Sequence, residues 1–270
     1  MKYAVIGAGG MGTQYGVLLQ EFAGKDVDFI DTWKPNVERI REQGGTYVSQ
    51  DGRDRHLVPI DVYYPEEYEG DPDVWIVFLK QMQLEAVLKR CAPLFKEHQV
   101  VFSAMNGYGH FEILARYFDT SRIYGGTALI GASIYGPGDV NFTGAAHAKS
   151  MNMCAYDGHG ADSDPTERTI CGDFTAATLN PTIVDDFMGM CMAKIVFNSV
   201  LNTLCTMYQI RFGEFMRHPG ARRMTEQLVD EAYTAAEHAG ITLLGTRDSE
   251  VDTICHTAGV AHPLHYPSMY

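Results

Sequence analysis

Apolar positions in the first 118 residues follow two alternating patterns: short unbroken runs, and longer stretches with a helical repeat. Tyr3-Ala4-Val5-Ile6 is the first run, and Met11, Tyr15, Leu18, Leu19 and Phe22 then recur at helical intervals. A second run covers residues 27–30, and residues 35–43 read as a helix stopped by Gly44-Gly45. Residues 46–64 alternate loosely through Tyr47, Val48, His56, Leu57, Val58, Ile60 and Val62, which predicts short strands. Residues 73–79 (DVWIVFL) form a continuous apolar run, as strands buried on both faces of a parallel sheet do, and 99–103 read as another buried strand. Helices are predicted over 82–91 and 111–118. Residues 124–140 are rich in glycine and small side chains, 146–156 and 173–183 are expected as closing strands, and 158–166 as a polar surface loop.

Strand and helix alternating in this way predict a doubly wound parallel sheet of Rossmann type. The character changes at Asp185, beyond which the chain reads as all-helical: 185–208, 220–239 with Gly240 as a stop, and 246–257. The expected fold class is therefore α/β, with a dinucleotide-binding domain over 1–184 and a helical substrate and catalytic domain over 185–270.

The turn after the first run carries the most specific chemistry. Gly7, Gly9 and Gly12 stand in G-x-G-x-x-G spacing within Gly7-Ala8-Gly9-Gly10-Met11-Gly12, between a strand and a helix. Gly7 allows the sharp turn, Gly9 lets a pyrophosphate approach the backbone, and Gly12 lets the helix lie close on the sheet. The helix N-terminus offers free N–H groups to phosphates. Asp31 ends the second run, 19 residues after the last glycine, and suits the adenosine ribose hydroxyls. A nicotinamide dinucleotide is expected; a flavin shares the same fingerprint.

The second feature is a polar stripe. Residues 185–208 are apolar almost all round, yet Lys194, Asn198 and Asn202 stand four residues apart. Successive members turn by only about 40°, so they line one face over roughly 12 Å. Burying an ammonium and two amides is costly without partners, so the stripe is expected to face a polar ligand or other polar groups.

Composition narrows the partners. The net charge of −13 in 270 residues disfavours nucleic acid and anionic membranes, because both would repel it. The six cysteines form no C-x-x-C and no zinc spacing, so no metal is expected, and they read as reduced thiols of a cytoplasmic protein. The first run is too short for a signal peptide, and no run is expected to reach the ~20 apolar residues that cross a bilayer. His256, His262 and His265 have no helical metal spacing, and Met188, Met190 and Met192 read as core.

Taken together, GAGGMG at the N-terminus, FLK-Q around Lys80, MNG-x-G around Asn106 and K-x-x-x-N-x-x-x-N from Lys194 resemble the ketopantoate reductase (2-dehydropantoate 2-reductase) family. The last six residues, from His265 to Tyr270, resemble the start of that family's H-x-x-S-M motif. The resemblance implies reduction of 2-dehydropantoate to (R)-pantoate by NADPH, in pantothenate biosynthesis. It implies Lys194 as the general acid and Asn198, Asn202 and Ser268 as substrate contacts. Asn106 would touch cofactor and substrate, and Lys80 would lie near the cofactor. Two departures follow. Asp31 stands where NADPH-dependent members have a basic residue nearby, which favours NADH unless Lys34 or Arg39 compensates. The family also runs past S-M into a helix with a substrate-binding glutamate, so a chain ending at Tyr270 is expected to be truncated relative to it. An NAD-dependent D-2-hydroxyacid dehydrogenase of the same family, or a non-catalytic dinucleotide-binding protein, stays open beside the reductase. A homodimer is a further expectation.

Overall fold

In the computed structural model, residues 1–144, 149–159 and 164–267 are described. The chain forms two compact units, Met1–Phe187 and Met188–Tyr270. In chain order the elements of the first are β1 (Tyr3–Ile6), α1 (Gly10–Glu21), β2 (Val27–Ile30), α2 (Lys34–Gln43), β3 (Thr46–Gln50), β4 (Arg53–Val58), β5 (Val62–Tyr63), β6 (Val74–Val77), α3 (Gln81–Cys91) and β7 (Val100–Ser103). There follow α4 (His110–Leu114), β8 (Ile123–Ala128), β9 (Gly131–Gly136), β10 (Asp139–Thr143), β11 (Met151–Ala155), α5 (Pro165–Ala176) and β12 (Pro181–Ile183). The long helix α6 (Phe187–Tyr208) leads into α7 (Phe212–Met216), α8 (Ala221–His238) and α9 (Arg247–His256).

The runs read as doubly buried strands are the centre of an eight-stranded sheet, in the order β12-β11-β8-β7-β6-β1-β2-β5. Every residue of β1, β2, β6 and β7 is buried, which is why these segments carry no alternation. Their pairings are parallel, with Ile6 opposite Ile30 on one side and Val77 on the other, and Val77 opposite Ser103. β11 runs antiparallel to β8. The core on one face gathers the Tyr15 ring between Phe78, Phe102 and Phe174, at centroid distances of 4.7, 6.2 and 5.7 Å.

Three expectations need correction. Residues 173–183 are not one strand: the segment begins as the last turn of α5, which ends at Ala176, and only Pro181–Ile183 pairs with the sheet. The helix starts where Asp164 accepts from the N–H groups of Thr166 at 2.8 Å and Glu167 at 3.2 Å, with Pro165 as its first residue. Second, the loosely alternating 46–64 region does not join the main sheet as a whole. β3 and β4 combine with β10 and β9 in a separate four-stranded sheet, ordered β4-β3-β10-β9. Third, α6 does reach the length and apolar composition that could cross a bilayer, but half of that window is buried in the protein, as in a core helix. The expected strand at 146–156 is β11 from Met151; residues 145–148 lie outside the described ones.

The second unit, by itself, is helical. Val196, Val200, Leu201 and Cys205 of α6 form one core with Phe212, Phe215, Val229 and Ile254. Lys194, Asn198 and Asn202 interrupt this otherwise apolar helix at four-residue intervals.

One buried acid makes the fold pH-sensitive. Glu167 is almost fully buried, and its Oε1 has no partner among the described residues. Burial, reinforced by Asp164, pushes its carboxyl up from 4.5 to about 7. The unfolded chain therefore releases this proton first, and the group's contribution to stability declines as pH rises from 4.5 to about 7. Glu167→Gln is expected to leave urea stability unchanged near the acid end of that window and to raise it above the window; equal effects at both pH values would contradict the burial argument.

Candidate active site

The site follows from the strand order. From β1 the chain winds outward through β2 to β5, then returns across β1 to continue through β6, β7 and β8. The reversal separates the loops that leave β1 and β6 and opens a crevice at their carboxyl ends, the standard location for a nucleotide in such sheets. The glycine turn leaves β1, Asp31 follows β2, Lys80 follows β6, and Asn106 follows β7. The parallel register thus brings every sequence-predicted cofactor residue of this unit to one edge of the sheet.

The glycines are required by close approach. Gly7 has φ +101°, and a Cβ there would run into the carbonyl oxygen of Phe78. A Cβ on Gly12 would run into the carbonyl oxygen of Gly7 and the Val5 side chain. At Gly9 the added atom would meet only Ile134 Cδ1 at 3.8 Å, so the space beside it is open. The first helical bond of α1 runs from Thr13 N–H to Gly9 at 2.9 Å, which leaves the amides of Gly10, Met11 and Gly12 without helical acceptors. A narrow turn, open space beside its second glycine and outward amides at a helix N-terminus suit a pyrophosphate.

Asp31 is buried and structurally engaged. Its Oδ1 accepts from the N–H groups of Thr32 at 2.6 Å and Trp33 at 3.0 Å, and Oδ2 accepts from Asn36 Nδ2 at 3.0 Å. Asn36, which sequence reasoning passed over, is the junction of this region. Its Nδ2 also donates to the Ala8 carbonyl at 2.9 Å, and its Oδ1 accepts from Gly138 N–H at 2.9 Å. It therefore ties the acid, the glycine turn and the second sheet together. No sequence signal marks it, because an asparagine in the first turn of a helix is ordinary. β9 was also missed as a wall of the site: a Cβ on Gly10 would lie 3.1 Å from Ala132.

The basic residues near Asp31 are otherwise committed. Lys34 pairs with Glu38 at 3.4 Å and Arg39 with Glu42 at 3.5 Å. Lys80 stands at the N-cap position of α3 without a side-chain cap bond and is exposed, with no ion pair among the described residues. Asn106 is exposed in the loop after β7. Ser103 Oγ steadies that loop's start by donating to the Val77 carbonyl at 3.1 Å.

In the second unit, α6 lines up Lys194, Asn198 and Asn202. Asn202 Nδ2 donates to Asn198 Oδ1 at 3.0 Å, so the two amides act as one polar pair. Lys194 Nζ lies 5.1 Å from the Phe197 ring centroid and has no acid partner among the described residues. Burial lowers its ammonium from 10.5 to about 8. His265 is within electrostatic reach: its imidazole is lowered by partial desolvation, then by His262 and by the Lys194 charge. Ser268 lies outside the described residues.

Residues 3–153 match the family profile described as Ketopantoate reductase PanE/ApbA, and residues 186–270 match Ketopantoate reductase PanE/ApbA C terminal. The chain belongs to the ketopantoate reductase family. Among its relatives, the 2-dehydropantoate 2-reductase of Lactococcus lactis is 26% identical over 273 residues, covering 100% of this chain and 84% of that protein. The enzyme of the same name from Aquifex aeolicus is 23% identical over 100% of this chain and 83% of its own length. A D-mandelate dehydrogenase solved with NADH and anilino(oxo)acetate is similar with a TM-score of 0.89 and 27% identity, over 100% of this chain and 84% of that one. As a member of this ketopantoate reductase family the chain is an oxidoreductase, and its cofactor is a nicotinamide dinucleotide.

The Asn36 junction carries a prediction. Asn36→Ala removes the Asn36 donor from the Ala8 carbonyl and from Asp31 Oδ2, and so loosens the glycine turn. Dinucleotide affinity, read by fluorescence titration, is expected to fall about tenfold. Unchanged affinity would show that the turn holds its shape through the glycine packing alone.

Proposed function

We propose that this ketopantoate reductase family member reduces 2-dehydropantoate to (R)-pantoate, a step of pantothenate biosynthesis, with Lys194 as the proton donor. The observation that carries the reading is the Lys194 ammonium, lowered to about 8 by burial, at the head of a file of two hydrogen-bonded asparagines. The names of the relatives support the substrate.

When bound, the reduced nicotinamide supplies the hydride that a ketone needs. Gly7, Ala8, Gly9, Gly10, Met11 and Gly12 would hold its pyrophosphate, Asp31 would accept from the adenosine ribose, and Lys80 and Asn106 would lie beside it. As negative charge grows on the ketone oxygen, Lys194 steadies it and donates a proton from Nζ. Asn198, Asn202 and Ser268 hydrogen-bond the substrate's carboxylate and hydroxyl without adding a competing charge. A lysine with a value of about 8 is mostly protonated at neutral pH yet gives up its proton more readily than an ordinary lysine. Lys194→Ala is expected to lower kcat about 10²–10⁴-fold with 2-dehydropantoate, followed by nicotinamide absorbance. In the wild type, kcat/KM should fall as pH rises through about 8. A rate that is flat in pH and indifferent to the alanine would remove Lys194 from the chemistry.

A second reading has its own support. Asp31 carries negative charge where a 2′-phosphate would sit, and Lys34 and Arg39 are both paired with glutamates. This favours NADH, and the similar D-mandelate dehydrogenase was solved with NADH and anilino(oxo)acetate. A D-2-hydroxyacid dehydrogenase acting on bulkier 2-oxo acids is therefore the alternative. The wild type is expected to prefer NADH in kcat/KM by about tenfold or more, and Asp31→Ala to narrow the ratio. Preference for NADPH would show that other groups outweigh the Asp31 charge, and faster turnover of an aromatic 2-oxo acid than of 2-dehydropantoate would favour the second reading.

A further inference from the structure

The second unit holds a basic cluster beside Lys194. The segment after α9 folds back on α7: Phe212 N–H donates to the His265 carbonyl at 3.1 Å, and Gly213 N–H donates to the Pro263 carbonyl at 2.9 Å. A Cβ on Gly213 would lie 2.7 Å from Pro263 Cβ, so the segment sits on α7 only because position 213 has no side chain. The His265 ring rests against the Phe212 ring at a centroid distance of 5.1 Å, and Phe212 shares a core with Val196 and Val200 of α6. His265 is thereby held to the helix that carries Lys194, and its imidazole feels the Lys194 charge.

Partial burial, then His262 and the Lys194 charge, hold the His265 imidazole below its ordinary value of 6.5. Arg211 adds a further cation next to it in the chain's fold-back, its guanidinium 4.7 Å from the Tyr266 ring centroid. The acid of α7, Glu214, is spent on Arg211, whose backbone N–H donates to it at 2.7 Å. Among the described residues no carboxylate acts on either His265 or Lys194. In a chain with 34 acidic residues to 21 Lys and Arg, basic groups gathered without a carboxylate leave a place for an anion. His265 is exposed, so an anion can reach it. A 2-oxo acid carries its ketone and its carboxylate on adjacent carbons. A group that binds the carboxylate must therefore stand close to the one that protonates the ketone oxygen, and His265 is a basic side chain so placed.

We propose that His265 is the carboxylate-binding partner of Lys194: it takes up a proton from solvent as the 2-oxo acid anion binds, and returns it when the anion leaves. This rests on the reading of Lys194 as proton donor to a 2-oxo acid. The ammonium is then left to the ketone oxygen, and the imidazolium N–H donates a charge-assisted bond to the adjacent carboxylate. Before binding, the neutral ring spares the site the repulsion of two full cations.

The test follows the His265 imidazole by two-dimensional NMR in the whole chain saturated with NADH, its signal assigned by loss in His265→Gln. The probes are oxamate, which has the carboxylate of a 2-oxo acid but no reducible ketone, and its neutral ester, ethyl oxamate. Saturating oxamate is expected to raise the His265 titration midpoint by about one pH unit or more, as a carboxylate in direct contact does, and ethyl oxamate to leave it in place. Lys194→Met, which removes the neighbouring charge, should raise the midpoint of the oxamate-free protein. His265→Gln should bind NADH as before, bind oxamate about tenfold more weakly, and raise KM for 2-dehydropantoate about tenfold with kcat changed less. A midpoint that oxamate leaves unmoved, an equal shift with the ester, no response to Lys194→Met, or oxamate affinity unchanged in His265→Gln would overturn the proposal. Should His265→Gln fail to fold, the two wild-type titrations decide. A His265 shift on oxamate without turnover of 2-dehydropantoate supports the carboxylate site and removes only that substrate.

Discussion

The approach of α1 to the sheet, possible because positions 7 and 12 carry no Cβ, is the constraint on which the first unit depends. With a side chain at either position, the helix start and the strand end could not occupy the space they do. That contact aims the amides of Gly10, Met11 and Gly12 outward and sets the height of the turn over β6. Asn36 then couples the same turn to Asp31 and to the second sheet by three hydrogen bonds. The cofactor edge is thus held from beneath by packing and from the side by a buried polar junction.

The second unit answers a different energetic problem. An ammonium on an otherwise apolar helix loses hydration, and the structure offers it a ring face and no carboxylate among the described residues. A neighbouring acid would stabilise the charged form and hold the proton more tightly; its absence there leaves the lysine lowered to about 8. The two asparagines beyond it share one hydrogen bond, from Asn202 Nδ2 to Asn198 Oδ1.

The elements that were misread show where local pattern loses its force. Asp164-Pro165-Thr166-Glu167 is a helix start by its capping chemistry, yet the apolar positions after it lack a strong helical repeat. Burial of Ile170 and Phe174 against the sheet decided for helix. Residues 46–64 were expected as short strands and 124–140 only as a glycine-rich stretch, because the pairing of β3 with β10 joins segments about 90 residues apart and leaves no mark on either. Asn36 and Ala132 escaped for the same reason: their roles depend on partners distant in sequence.

What the chain's order of residues determined by itself is the local chemistry: unbroken apolar runs for doubly buried strands, a glycine turn for a phosphate, and a polar file on an apolar helix. These follow from side-chain size, backbone freedom and helical periodicity, which act over a few neighbours. Tertiary structure alone decided which strands share a sheet, how Asp31 spends its lone pairs, and that Asn36 joins the glycine turn to the second sheet. Each of those depends on packing and hydrogen bonds between residues distant along the chain, where the free energy of a contact exists only once both partners have been brought together.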